Sequence, residues 1–212
     1  MITPPRRADG PLILADIGGY TSFLRIVQVA HADDAFADGN VPDAYGFVSS
    51  LLDGIVDQLV PPFTLSKLEG DAVFAYADTD AGLPRGDALL DCIGTCYAEF
   101  QRRLGQAHET WTCRCEACLR IDELDLKFIV HAGPYVIQSI AGAAELVGPE
   151  VVMAHRLLKN DASSVLGSGA YALLTASAVG RFAVPTVGAT PMPATYEHYD
   201  PIDTFLFPLP QG

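Results

Sequence analysis

No apolar run in this chain approaches the roughly 20 residues needed to cross a bilayer, so no membrane-spanning helix is expected. The opening MITPPRRADG is basic, but no long apolar segment with a small-residue cleavage site follows it. That argues against a secretory signal and makes the cytoplasm the expected location. Basic residues are scarce: 13 lysines and arginines stand against 26 aspartates and glutamates, for a net charge of −13. Such a chain repels nucleic acid and anionic membrane surfaces, and it meets a polyanion only where divalent cations mediate the contact. Internal repeats and low-complexity tracts are absent. The five cysteines, Cys92, Cys96, Cys113, Cys115 and Cys118, are odd in number, and disulfides are not expected in a reducing compartment.

What is present is enough for one compact domain over 1–212: 212 residues, half of them hydrophobic. Residues 11–16 read as a buried strand, followed by SFLRIVQVA and a polar stretch, HADDAFADGN. Val48, Leu51, Leu52, Ile55, Val56 and Leu59 have helical spacing, which Pro61-Pro62 stops. FTLSKLEGDAVFAYAD fits two strands around a tight turn. Pro84 and Asp87 open a helix whose apolar face is Leu89, Ile93, Cys96, Phe100 and Leu104. A cysteine-rich loop is expected at about 105–120. LDLKFIVHAGPYVIQSIAG reads as two strands parted by Gly133-Pro134, GPEVVMAHRLLKN as a short helix, YALLTASAVGRF as a strand and short helix, and YDPIDTFLFPLP as a final edge strand. The implied class is α+β, with helices packed on a largely antiparallel sheet.

Within this order, "LILADIGGYTSFL" drives Asp16 out of the end of a buried strand and follows it with Gly18-Gly19. Asp71 sits at a hairpin tip behind Gly70. Two carboxylates brought to one sheet edge repel each other and lose hydration, and a divalent cation relieves both costs. Mg²⁺ favours one or two carboxylates together with substrate phosphates. Paired glycines let backbone N–H groups approach phosphate oxygens.

Four blocks in order carry a resemblance: ADIGGYTSF, KLEGDAVFAY, IVHAGP and VGPEVVMAHRL, spanning about 11–160. Together they resemble the catalytic domain of the class III nucleotidyl cyclases, the adenylate and guanylate cyclases. The resemblance implies the ferredoxin-like class III cyclase fold and conversion of ATP to cyclic AMP and pyrophosphate. It implies that Asp16, Asp71 and the carbonyl of Ile17 hold two Mg²⁺ or Mn²⁺ ions, and that the backbone from Gly18 through Gly19 and Tyr20 to Thr21 contacts the phosphates. Lys67 matches the base-selecting lysine. Arg156 matches the arginine that stabilises charge on the α-phosphate, a task suited to a permanently charged, planar donor. The family's sites lie across a head-to-tail dimer, so a homodimer is implied.

The pattern breaks in two places. Val152 occupies the position of the ribose-orienting asparagine, and Asn160 lies four residues beyond Arg156, on a different part of the helix face. Glu145 stands where adenylate cyclases carry an aspartate, which leaves the base open between adenine and guanine. The alternative is therefore a catalytically degenerate domain that binds nucleotide as a sensor or regulatory module. Outside the blocks, Cys113, Cys115 and Cys118 suit a soft ion such as Zn²⁺ if a fourth ligand arrives, with His108 and Cys96 as candidates. Cys92 and Cys96 lie one helical turn apart and read as buried apolar residues. His131 reads as a packed structural residue, and His155 as pointing away from Arg156.

Overall fold

The computed structural model describes residues 4–32, 41–111, 113–167 and 169–210. The polar stretch after His31 and Ala32 thus lies outside the described residues. In chain order the elements are β1 (Arg6–Gly18), α1 (Tyr20–Ala30), α2 (Asp43–Leu59), β2 (Thr64–Glu69), β3 (Ala72–Tyr76), α3 (Asp87–Thr110) and α4 (Glu116–Leu119). After a 3₁₀ turn come β4 (Asp125–Ile140), β5 (Ala143–Val147), α5 (Pro149–Arg156), α6 (Ala162–Leu166), β6 (Tyr171–Thr175), α7 (Ala176–Phe182), β7 (Thr190–Pro191) and β8 (Thr204–Pro208).

The strands form one sheet in the order β2-β3-β1-β4-β6-β8-β7, with β5 also on β4. Every pairing is antiparallel except β4 with β6. β1 lies at the centre and is covered on both faces, which is why its sequence is continuously apolar rather than alternating. Ile13, Ala15 and Ile17 face a core shared with Phe23, Leu51, Ile55, Ile93 and Phe100 of the first three helices. Leu12 and Leu14 face a second core with Phe74, Val151, Met153 and Leu157. By the two-residue period of a strand, Asp16 points to this second face.

Three expectations change. Gly133-Pro134 is no turn: β4 runs unbroken for 16 residues. Pro134 stays in register with Asp9 of β1, and on its other side it falls between the end of the β6 ladder at Val130 and the start of the β5 ladder at Val136, where no strand pairs with it. Gly133 instead leaves room for Glu150, whose Cγ would lie 2.8 Å from a Cβ placed there. β8 is not an edge strand, because the two-residue β7 flanks it. Helix α3 continues to Thr110, into the stretch expected as loop, with Leu104 and Ala107 buried on its inner face.

Gly10 fixes the start of β1. Tyr135 Oη donates to the Ala77 carbonyl at 2.8 Å, and a Cβ on Gly10 would come 1.9 Å from that same oxygen. Gly10→Ala is expected to destabilise the fold by about 3 kcal/mol, the upper range for overpacking. Thermal unfolding checks this, as a drop in midpoint of roughly 6–12 °C. An unchanged midpoint would mean that this contact relaxes without cost.

Candidate functional site

The two predicted acids meet. Asp16 pairs with Ala72 across β1 and β3, and the Ile17 amide donates to the Asp71 carbonyl at 3.1 Å. Asp71 therefore closes the β2–β3 turn directly beside the end of β1, with Gly70 in the left-handed conformation the turn needs. Burial first, and Asp71 second, push the Asp16 carboxyl above the ordinary carboxylate range. Lys127 works the other way, with its Nζ 3.7 Å from Asp16 Oδ2 across the β1–β4 register. Nothing local in the sequence marks Lys127. Its role follows only from the pairing of two strands more than a hundred residues apart.

Gly19, at φ 82°, turns the chain from β1 into α1, a conformation that a side chain would strain. The first turn of α1, Tyr20 and Thr21 included, follows at once, and leading N–H groups of a helix lack intrahelical partners. Tyr20 is pushed above the usual phenol range by burial, then by Asp71 and Tyr45.

Lys67 and Glu145 also meet. Lys67 Nζ donates to Glu145 Oε2 at 2.9 Å and lies 3.5 Å from Glu69 Oε1. The hydrogen bond to Glu145 is the main reason that Lys67 is held above its ordinary range. Glu145 reaches this point because a two-residue turn, Ala141-Gly142, folds β5 back on β4. Glu69 in turn bonds His155 Nε2 at 2.8 Å, while His155 Nδ1 bonds the Val151 carbonyl at 2.7 Å. His155 thus packs α5 against β2 and stacks edge-on to Phe74.

Arg156 lies half-exposed at the end of α5, its Nη1 donating to the Glu197 carbonyl at 2.9 Å and its guanidinium 5.3 Å from the Tyr199 ring centroid. Val152, one turn earlier, is exposed. Asn160 is occupied structurally: it donates to the Leu157 carbonyl and accepts from the Ala162 amide and the Tyr171 hydroxyl.

His131 is buried, bonding Thr175 Oγ1 at 3.0 Å and Glu150 Oε2 at 2.6 Å. Burial lowers its pKa, and Glu150 opposes that shift.

The cysteines separate into two groups. Cys96 is buried in the α3 core face, and burial pushes its thiol up to about 12. Cys92 is half-buried on the same helix, and burial raises its thiol too. Cys113, Cys115 and Cys118 gather at the α3–α4 link, Cys115 Sγ lying 3.4 Å from Cys118 Sγ. The histidine that joins them is His31, with Nε2 3.6 Å from Cys113 Sγ, whereas His108 is exposed. The ligand atoms of His31, Cys113 and Cys115 all lie within 4.8 Å of one another, a group able to hold a metal ion.

Among the described residues no helix is long and apolar enough to cross a membrane.

The architecture is that of class III cyclase domains. The adenylyl cyclase CyaB from P. aeruginosa superposes with a TM-score of 0.66 at 11% identity, over 99% of this chain and 98% of that one. The guanylyl cyclase Cya2 gives 0.61 at 14% identity, over 98% and 94%. A class III adenylyl cyclase-like ATP-binding protein from Pseudomonas aeruginosa gives 0.58 at 14%, over 87% of this chain and 37% of that one. At these identities the likeness shows the fold.

In sequence, the chain is 32% identical over 117 residues to the uncharacterized protein Rv2561/Rv2562 of Mycobacterium tuberculosis. That alignment covers 54% of this chain and about half, 52%, of the relative's length. A family model described as a protein of unknown function, DUF2652, matches residues 48–165, more than half of the chain, and the chain belongs to that family.

Proposed function

We propose that this protein is a nucleotidyl cyclase of the adenylate type, working with Mg²⁺ or Mn²⁺ at sites formed in a homodimer. The observation that carries the reading is the meeting of Asp16 and Asp71 at one strand edge, half-buried and short of positive charge. Lys127, at 3.7 Å, gives Asp16 partial compensation. An oxygen-rich pair of this kind fits a hard divalent cation better than it fits one lysine. Asp16, Asp71 and the Ile17 carbonyl would hold the ions. When bound, they lower the pKa of the ribose 3′-hydroxyl and neutralise charge on departing pyrophosphate.

The chain's own groups do the rest. Backbone N–H groups of the Gly19–Thr21 turn receive phosphate oxygens. Lys67 and Glu145, already paired, present one donor and one acceptor to the base: the ammonium to a ring nitrogen of adenine, the carboxylate to its amino group. Arg156, from the other protomer, meets charge on the α-phosphate. Leu68 on β2, Val147 on β5 and Val152 on α5 are exposed apolar side chains on the elements that carry Lys67, Glu145 and Arg156, and they support dimerisation. No membrane or nucleic-acid partner and a cytoplasmic location complete the proposal. Val152 favours a second reading, a domain that holds nucleotide with little turnover.

The test is direct. Purified protein with Mn²⁺ and ATP is expected to yield cyclic AMP and pyrophosphate, and to run as a dimer by light scattering. Absence of cyclic AMP from a dimer that binds ATP by calorimetry selects the second reading, and absence of binding rejects both. Base choice gives a further expected result. Glu145→Ala is expected to reduce the preference for ATP over GTP by about 10- to 100-fold, the worth of one hydrogen bond to a charged group. Equal ratios of kcat/KM before and after the substitution would remove Glu145 from base recognition.

A further inference from the structure

We propose that His31, Cys113, Cys115 and Cys118 form a four-ligand structural zinc centre that ties the end of α1 to the link between α3 and β4. The nucleotide chemistry has no use for these residues, and no two neighbouring strands force them together. They come from three places. His31 caps the C-terminus of α1, Cys113 and Cys115 lie in the link, and Cys118 lies within α4, which packs against α1.

Two of the edges have the length expected between ligands of one ion, and Cys118 completes the set by a side-chain adjustment when the ion binds. With Zn–S near 2.3 Å and Zn–N near 2.05 Å, a tetrahedron has S···N edges of about 3.6 Å and S···S edges of about 3.8 Å. The observed His31 Nε2···Cys113 Sγ separation is 3.6 Å, and Cys115 Sγ···Cys118 Sγ is 3.4 Å. The Cys118 amide donates to Cys115 Sγ at 3.5 Å, the supporting contact a metal-bound thiolate takes. Thiols that merely fill space sit among apolar atoms, as Cys96 does. Here two sulfurs and an imidazole nitrogen lie within 4.8 Å of one another, and the third sulfur, Cys118 Sγ, adjoins the group through Cys115. Three soft thiolates with one imidazole select zinc over magnesium or calcium, and four protein ligands leave no open position for catalysis.

The centre has a mechanical consequence. α1 is 11 residues long, about 16 Å of helix, and its other end is the Gly19–Thr21 turn after Asp16. An ion that pins His31 therefore braces the helix that begins at that turn.

The experiment uses the full chain, expressed with zinc in the medium and purified without chelator. One zinc per chain is expected by elemental analysis. Replacement by Co²⁺ is expected to give the visible bands of a tetrahedral site together with thiolate-to-cobalt charge transfer. His31→Ala is expected to weaken zinc binding beyond the roughly 10- to 100-fold that loss of a supporting contact costs. His31→Cys keeps the ion and shifts the cobalt bands toward those of four thiolates, a readout that stands even if the alanine variant folds poorly. Cys96→Ala and His108→Ala are expected to leave binding unchanged. Reduced protein that binds neither zinc nor cobalt overturns the proposal. So does a Cys115–Cys118 disulfide in place of metal in the freshly purified chain, or full zinc affinity in His31→Ala. None of these readouts depends on nucleotide turnover, so failure here and failure of the cyclase reading are separable.

Discussion

Asp16→Ala and Asp71→Ala, each alone, are expected to cut Mn²⁺-dependent cyclic nucleotide formation by about a thousandfold or more, through loss of a shared ligand to ions that supply most of the charge stabilisation. The two substitutions are not expected to add, since either empties the same site. Stability is expected to move the other way for Asp16. In the folded chain its carboxylate has lost most of its water, lies beside Asp71, and receives only partial relief from Lys127. Asp16→Asn keeps the shape and removes the uncompensated charge, so the metal-free variant is expected to melt higher than the metal-free parent. Mn²⁺ raises the midpoint of the parent by mass action and leaves the variant nearly unmoved. The Asp71 carbonyl that accepts from Ile17 is backbone, so Asp71→Ala leaves the strand contact in place. A variant that keeps its Mn²⁺ response and its turnover would show that these acids are a turn and a strand end, and nothing more.

The part of this site that can be read in sequence is the part written locally. Asp16 follows an apolar run and precedes two glycines, and Asp71 closes a hairpin, behind a glycine, between a mixed strand and a continuously apolar one. Each local pattern constrains where its side chain goes, and the sheet register then brings the two together. The Lys67–Glu145 contact is legible only by resemblance, because 78 residues separate the partners and a two-residue turn decides where Glu145 lands. Lys127 and His31 carry no local signal. Lys127 is one polar residue in an alternating strand, and its meaning comes from standing opposite Asp16. His31 lies 82 residues before Cys113, and only the packing of α1 on α4 delivers it to the thiols. Proximity in sequence points to His108 and Cys96 as ligands, yet the helical period sends one into solvent and the other into the core. Gly133-Pro134 misleads for a related reason. Both residue types usually break strands, but here one makes room for Glu150 and the other, in register with β1, sits in the gap between the β6 and β5 ladders. Local chemistry cannot report which neighbour a backbone will meet.

Val152→Asn is expected to raise turnover. Val152 is exposed, lies one helical turn before Arg156, and its amide donates to the Gly148 carbonyl, so the backbone needs nothing from the side chain. Valine and asparagine have similar helix propensities, so the substitution is expected to leave the fold intact. The family resemblance places an amide at this position to orient the ribose. One donor restored to a developing transition state is worth roughly 2.7–4 kcal/mol, or about a hundred- to thousandfold in rate. Because the gain belongs to the transition state, kcat is expected to rise while nucleotide affinity stays nearly level. Val152→Ala is the control, since it opens the same space without a donor. If asparagine and alanine behave alike, the ribose is not oriented from this helix face, and the resemblance at α5 extends to shape without extending to chemistry. If asparagine alone accelerates the reaction, the valine is what holds an otherwise complete site at low turnover, and the binding and catalytic readings become two settings of one position.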